Sequence, residues 1–193
     1  MTNLWYFYIK ASTKDIIVIL RNFLILIFLF LQIANMFPAD TDIKKALPLN
    51  IKELPNCYKV NENLYRGAQP GKGGFEKLKE LGVKTIINFR ESDTDGDLIN
   101  GMGFNYVRLP MNAFFPKKEY FEEYLQIVTD EKYFPVYVHC RYGADRTGTA
   151  VALYRIHVEN IDVESAIDEM EYGGFGFHKI YQNLKSFIKN FGN

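Results

Sequence analysis

With 193 residues, 23 basic and 23 acidic side chains and a pI near 6.8, the chain has room for one ordinary domain and no formal net charge. That balance excludes the basic excess that duplex binding requires, so no nucleic-acid partner is expected. Aromatic residues at 16% and charged residues at 24% exclude a disordered chain, and two cysteines supply no disulfide framework.

The amino-terminal segment 1–39 stands apart. Residues 16–37 are almost continuously apolar, interrupted by Arg21, Asn22, Gln32 and Asn35 and preceded by Lys10, Lys14 and Asp15. The stretch 23–31 suits the short apolar region of a signal peptide with Ala39 as the cleavage residue, although Phe37 departs from the small-x-small pattern. Counted with its interruptions, the segment approaches the ~20 residues that span a bilayer. Signal peptide and membrane anchor both stay open. Lys10 and Lys14 favour a cytoplasmic amino terminus, and so an extracytoplasmic domain, while Lys44, Lys45 and Lys52 on the far side pull the other way.

Residues 40–59, with Pro48, Pro55 and mixed charge, read as a linker, and 60–193 as the folded domain, with the chain from about Asn56 expected to stand alone. A strand is predicted over 64–68, ended by Gln69-Pro70-Gly71. Phe75, Leu78 and Leu81 mark one face of a helix closed by Gly82, and the β-branched run 83–89 reads as a buried strand. The acidic stretch 93–100 is expected as a loop with a short helix, and 106–109 as a further strand. Phe121, Tyr124, Leu125 and Val128 repeat at helical spacing, and 133–138 returns as a strand. Helix is then expected over 149–159. Asp162 is a predicted N-cap for the helix bearing Val163, Ala166, Ile167 and Met170, and Ile180, Leu184, Phe187 and Phe191 mark the last one. Strands alternating with helices, followed by a run of helices, imply an α/β domain whose mostly parallel central sheet is flanked by helices on both faces.

The chemistry concentrates in one run: Val136-Tyr137-Val138-His139-Cys140-Arg141-Tyr142-Gly143-Ala144-Asp145-Arg146-Thr147-Gly148. A strand that turns through a glycine-containing loop into a helix leaves several backbone N–H groups without partners, and the helix dipole adds positive charge where they converge. An anion fits there. Cys140 opens the loop beneath such an anion, and the Arg146 guanidinium closes it as a bidentate clamp. The same field favours the thiolate, the nucleophilic form of cysteine.

This run resembles the H-C-x5-R-[ST]-G signature of the cysteine-based protein tyrosine and dual-specificity phosphatases, matching at His139, Cys140, Gly143, Arg146, Thr147 and Gly148. Leu64-Tyr65-Arg66-Gly67-Ala68-Gln69-Pro70 and Gly82-Val83-Lys84-Thr85-Ile86-Ile87-Asn88-Phe89-Arg90 are similar to the bacterial dual-specificity-like branch, a relative of plant and fungal atypical enzymes. Low-molecular-weight tyrosine phosphatases carry C-x5-R near the start of the domain, so the late position of Cys140 argues against them. The resemblance implies thiolate attack on phosphorus, a cysteinyl-phosphate intermediate and hydrolysis by water, with no metal and no cofactor. It assigns catalysis to Cys140, Arg146 and Thr147, the last bonding the sulfur, and leaves His139 to shape the loop. His139, Arg141, Tyr142, Gly143, Ala144, Asp145 and Arg146 are the expected substrate-binding set.

The general acid departs from the family pattern. Dual-specificity enzymes usually place an aspartate upstream of the cysteine, on the loop after the third strand, where this chain has Pro110-Met111-Asn112-Ala113-Phe114-Phe115-Pro116. Either Asp145 protonates the leaving group from inside the loop, as is proposed for myotubularin lipid phosphatases, or the substrate is a phosphoanhydride that needs no acid. A structural Asp145 paired with Arg141 or Arg66 is the alternative. Arg141 and Tyr142 are expected at the rim, with Arg66 and Arg90 placed to reach a second phosphate or to form surface ion pairs. The segment 171–178 covers the site or simply connects helices. Cys57 reads as a packed or partly exposed thiol, although a bridge to Cys140 would silence the enzyme. The expected substrates are phosphotyrosine proteins first, then inositol phosphates or pyrophosphates. A phosphate-binding module without turnover is the reading of another class, and a membrane partner enters through segment 1–39 if it is not cleaved.

Overall fold

The structure is a computed structural model that describes residues 13–36 and 45–192, with side chains described at 16–28 and 45–192. The chain divides into two units, 1–40 and 41–193. Among its described residues the first holds the helix α1 (Thr13–Met36), on which Ile17, Ile19, Leu20, Phe23, Leu24 and Phe28 are all exposed. Among the described residues no helix is long and apolar enough to cross a membrane. The expected cleavage residue, Ala39, lies outside the described residues.

The second unit is built on a six-stranded sheet. Its strands are β1 (Leu47–Pro48), β2 (Tyr58–Lys59), β3 (Leu64–Gly67), β4 (Thr85–Asn88), β5 (Asn105–Arg108) and β6 (Val136–His139), in spatial order β1-β2-β3-β6-β4-β5. Its helices are α2 (Gly74–Glu80), α3 (Gly96–Ile99), α4 (Lys118–Ile127), α5 (Asp145–His157), α6 (Val163–Tyr172) and α7 (Gln182–Lys189). Alternation along the strands separates two cores. Leu64, Ile87, Val136 and Val138 face Phe121, Tyr124, Leu153 and Ile167, on the side of α4 to α7. Their strand neighbours Tyr65, Ile86 and Tyr137 face Phe75, Leu78 and Ile99, on the side of α2 and α3. Both faces are therefore covered, and β3, β4 and β6 are buried at every residue, as expected of strands sandwiched between helices.

One expectation holds in part and one needs correction. The sheet is mixed: β3–β6, β6–β4 and β4–β5 are parallel, but β1–β2 and β2–β3 are antiparallel. The stretch expected as a linker over 40–59 supplies the antiparallel pair, because it folds back through tight turns with no helix to carry it across, and only antiparallel pairing is then open to it. Leu54 and Cys57 from the same stretch are buried at 1% and 4% exposure. Apolar residues are sparse there, so its burial does not show as a periodic pattern.

The helices follow the sequence more closely. Asp162 caps α6, its carboxylate accepting from Ser165 N at 2.9 Å. Helix α5 begins at Asp145, ahead of the expected 149, since Gly148 N already donates to Ala144 O at 2.8 Å. Ile180 is exposed because it belongs to a 3-10 turn, Lys179–Tyr181, out of phase with α7; Leu184, Ile188 and Phe191 form the buried stripe instead.

A chain beginning at 41 should keep the full stability of the second unit. One beginning at Asn56 loses β1 and vacates the Leu54 site, at a cost of roughly 2–5 kcal/mol by comparison with buried Leu→Ala changes. Urea unfolding of the two truncations checks this, and equal midpoints would return 41–55 to the status of a linker.

Candidate active site

The parallel strands end together, bringing Gly67, Asn88 and His139 side by side, and the loop of interest leaves this carboxyl edge, where ligands of open α/β sheets bind. Three successive carbonyls of that loop are held from behind. Arg141 O accepts from Gln69 N at 3.3 Å, Tyr142 O from Asn56 Nδ2 at 2.8 Å and Gly143 O from Arg66 Nη2 at 2.8 Å. Since a planar peptide directs its N–H opposite to its C=O, fixing these carbonyls outward turns the following N–H groups into the loop. The helix dipole of α5 adds to that field. The result is an anion cradle made of main chain.

Gly143 makes the close packing possible. It sits at φ 71°, and a Cβ there would meet the Gly67 carbonyl carbon, with Gly67 O and Ala68 N each at 2.6 Å. Cys140, 1% exposed, directly follows β6 at the base of the cradle. Arg146 lies across it: Nη1 donates to Phe89 O at 3.0 Å and Met111 O at 2.9 Å, while its other nitrogens have no protein acceptor among the described residues. The guanidinium is thus fixed at one corner and free along its fork. Thr147 Oγ1 is buried with no hydrogen-bond partner, an orphan that a thiolate or bound oxyanion would satisfy. Among the described residues, no group of His, Cys, Asp or Glu is arranged to hold a metal ion.

Behind the cradle lies a buried polar network. His139 is fully buried, stacked on Tyr137 with ring centroids 5.7 Å apart, and its Nε2 stands 3.1 Å from Asp95 Oδ2. Expected as a substrate-binding residue, His139 instead supports the loop from within, because no face of it is open. Asp95, also fully buried, takes Asn88 Nδ2 at 2.9 Å and Gln69 Nε2, with Arg90 at 3.6 Å. Burial alone would raise its pKa, but hydrogen bonding and charge from His139, Gln69 and Arg90 outweigh it and hold the carboxyl below the ordinary value.

Neither strand-end arginine is free for a second phosphate. Arg66 is 1% exposed, with Phe175 stacked 3.7 Å from its guanidinium carbon. Burial lowers its pKa to about 10, against the pull of Glu169 and Cys140, so it remains a cation behind the loop at neutral pH. Arg90 donates to Gln69 Oε1 at 2.6 Å, Thr94 Oγ1 at 2.7 Å and Ser92 Oγ at 3.1 Å. Cys57 and Cys140 are both free thiols, and burial pushes Cys57 up to about 12, the condition of an inert packed thiol.

At the rim, Arg141 and Tyr142 are exposed as expected, while Gly143 and Ala144 are buried main-chain contributors. Asp145 pairs with neither Arg141 nor Arg66. Its Oδ1 accepts from the His178 N–H at 2.9 Å and its Oδ2 lies 2.9 Å from His178 Nδ1. The segment expected to cover the site or connect helices therefore does contact the loop. From His178 an aromatic wall continues: Tyr142 at 5.4 Å, Tyr181 at 6.3 Å, and Phe114 at 4.8 Å from Tyr181. Asn56, Asp95 and His178 are absent from the sequence-based site. The signal that pointed toward His178 was its place at the end of the segment 171–178, read as covering the site or connecting helices.

Comparison with known proteins agrees with this geometry. The family model described as "DSP-PTPase phosphatase fused to NAD+ Kinase" matches residues 35–189, and the chain belongs to that family, within the cysteine-based tyrosine and dual-specificity phosphatase superfamily. Dual specificity protein phosphatase TpbA of Pseudomonas aeruginosa is 32% identical over 135 residues, 69% of this chain and 62% of that protein, so the chain spans less than two thirds of its relative's length. The crystal structure of a cysteine-to-serine variant of TpbA in complex with pTyr superposes at a TM-score of 0.68, with 28% identity, covering 76% of this chain and 89% of the other. The catalytic core of the PP-IP phosphatase SIW14 from S. cerevisiae shares the fold at a TM-score of 0.65 and 21% identity, covering 74% and 88%.

Two outcomes follow from the cradle and its support. Gly143→Ala should abolish vanadate and phosphate binding, measured calorimetrically, because the strained φ and the Gly67 backbone leave no room for a methyl group. Asp95→Ala should cost about 3–5 kcal/mol, since it strands buried partners of a charge. With its folded-state pKa depressed, Asp95 contributes stability that is fully present above the unfolded carboxylate pKa of about 3.9 and is lost as pH falls through the lower folded value. The variant should therefore show a shallower fall of stability in acid than the parent, and parallel curves would contradict the assignment.

Proposed function

We propose that this domain is a phosphatase that transfers the phosphoryl group of a phosphomonoester, phosphotyrosine foremost, to Cys140 and then to water. The observation that carries this reading is the cradle itself: three loop carbonyls held by Gln69, Asn56 and Arg66, with Cys140 buried after β6, an Arg146 fork bonded at one nitrogen and an orphaned Thr147 hydroxyl. In the first step the sulfur attacks phosphorus while the N–H groups and Arg146 take up charge on the equatorial oxygens. In the second, water displaces the sulfur, whose departure Thr147 eases by hydrogen bonding.

The preference for an aryl phosphate rests on the aromatic wall Tyr142–His178–Tyr181–Phe114, which offers flat apolar surface beside the cradle. Arg141, the one exposed basic residue in the loop, sits 5.3 Å over the Tyr142 ring. TpbA carries a dual-specificity name, and its pTyr complex points the same way. An inositol phosphate or pyrophosphate substrate is the second reading, and the absence of a carboxylate in 110–116 favours the phosphoanhydride of the two, whose leaving group departs without an acid.

Membrane targeting by segment 1–39, with the domain extracytoplasmic, is a further part of the proposal, supported by apolar residues on every side of α1. Removal of 1–40 should shift the protein from the membrane or exported fraction of an expressing cell to the soluble cytoplasmic one, and an unchanged distribution would dismiss it.

Cys140→Ser should abolish turnover of para-nitrophenyl phosphate while vanadate still binds. Arg146→Lys should be nearly as damaging, since an ammonium cannot reproduce the fork. More than about 1% residual turnover in the serine variant would remove the nucleophile, because losses on deleting such a group run to 10³-fold and beyond. Comparison of phosphotyrosine peptide, phosphoserine peptide, inositol phosphates and pyrophosphate then ranks the substrates.

A further inference from the structure

The reading of this site as a phosphatase leaves one part unfilled, the donor that protonates the departing oxygen. The loop 110–116 has no acid, and the carboxylate that approaches it, Glu91, is exposed and takes Asn112 Nδ2 at 3.3 Å. Asp145 is 5% exposed, and both of its oxygens are engaged by His178: Oδ1 accepts from the main-chain N–H, and both oxygens lie within 3.1 Å of Nδ1. A main-chain N–H can only donate, so at least Oδ1 is committed as an acceptor. The half-exposed imidazole, at 47% side-chain exposure, is the part of this pair that reaches solvent at the rim.

We propose that His178 is the general acid of this active site and that Asp145 is its positioning residue; the proposal rests on the phosphatase reading above. A carboxylate on Nδ1 fixes the ring orientation and directs the second N–H, on Nε2, outward, the arrangement by which an acidic partner sets the tautomer of a catalytic histidine. The groups facing the ring are Asp145 from α5, Tyr142 from the loop and Tyr181 from the 3-10 turn, with Arg141 beyond Tyr142 and Lys179 next in the chain. In the first step the sulfur lone pair forms the S–P bond, and the P–O bond to the leaving group breaks with its electrons on oxygen. The Nε2 proton moves to that oxygen and leaves a neutral ring still donating from Nδ1 to Asp145. In the second step water attacks phosphorus, the S–P electrons return to sulfur, and Nε2 takes up the proton of the water.

His178→Asn retains a donor near the Nδ1 position and removes Nε2, and the main-chain bond to Asp145 is untouched, so the segment stays anchored. The test compares kcat/KM for phenyl phosphate and para-nitrophenyl phosphate, whose leaving groups differ in basicity, in the full chain under reducing conditions. General acid catalysis contributes about 10²–10⁴-fold and matters most for the basic leaving group. His178→Asn is expected to lose ~100-fold or more on phenyl phosphate and less than ~10-fold on para-nitrophenyl phosphate. Asp145→Asn should show the same selectivity, the double variant no further loss, and Glu91→Gln no selective loss. Added imidazole should restore phenyl phosphate turnover in His178→Ala. Equal losses on both substrates, no loss on either, or the selective loss appearing in Glu91→Gln would overturn the assignment to His178. The phosphatase reading fails separately, by the lack of any Cys140-dependent turnover in the parent protein.

Discussion

The site depends on the outward pinning of three successive carbonyls, those of Arg141, Tyr142 and Gly143. A loop free to choose would leave its peptides in mixed orientations, and mixed dipoles bind no anion. Here each carbonyl has a different donor: a main-chain N–H after β3, an asparagine before β2 and a buried arginine on β3. Elements far apart in sequence thus converge on one short loop. The cost is considerable, because the Arg66 guanidinium is fully desolvated. Its Phe175 ring face and the Gly143 carbonyl compensate in part.

The second support works from the strand side. Asp95 gathers His139, Asn88, Gln69 and Arg90 into a network that closes the carboxyl ends of β4 and β6 beneath the loop. Low local dielectric makes such a network strong when its members are satisfied and costly when one is removed. Rigidity at Cys140 is therefore inherited from two sides, the Arg66–Asn56 brace and the Asp95 cluster. Nothing in the immediate loop except Gly143 has to be strained to achieve it.

Much of this was legible in the sequence, and the boundary between what was and what was not is physical. The strand-loop-helix run with Cys140, Gly143 and Arg146 carries its information locally, so its spacing reveals the cradle. Helical stripes on α4 and α6 and the cap at Asp162 are local for the same reason. Asn56 escaped because its contacts lie 86 and 119 residues away, at Tyr142 and Phe175, and an asparagine in a turn looks like ordinary turn chemistry. His178 lies 33 residues from Asp145, beyond a glycine-rich connector. Arg66 was misplaced at the surface because a charged strand end ordinarily is exposed. Its burial depends on a ring from the far side of α6, which no local pattern announces. The segment 40–59 read as a linker because its few apolar anchors, Ala46, Leu54 and Cys57, fit no single period.

The central claim is that Cys140 carries phosphate covalently during turnover. Rapid acid quenching during hydrolysis of a ³²P-labelled aryl phosphate, followed by digestion and peptide mapping, tests it most directly. The label is expected on the peptide containing Cys140, as an acid-quenched thiophosphate that is absent from the Cys140→Ser protein. Turnover with label on another residue, or label persisting in the serine variant, would contradict the account.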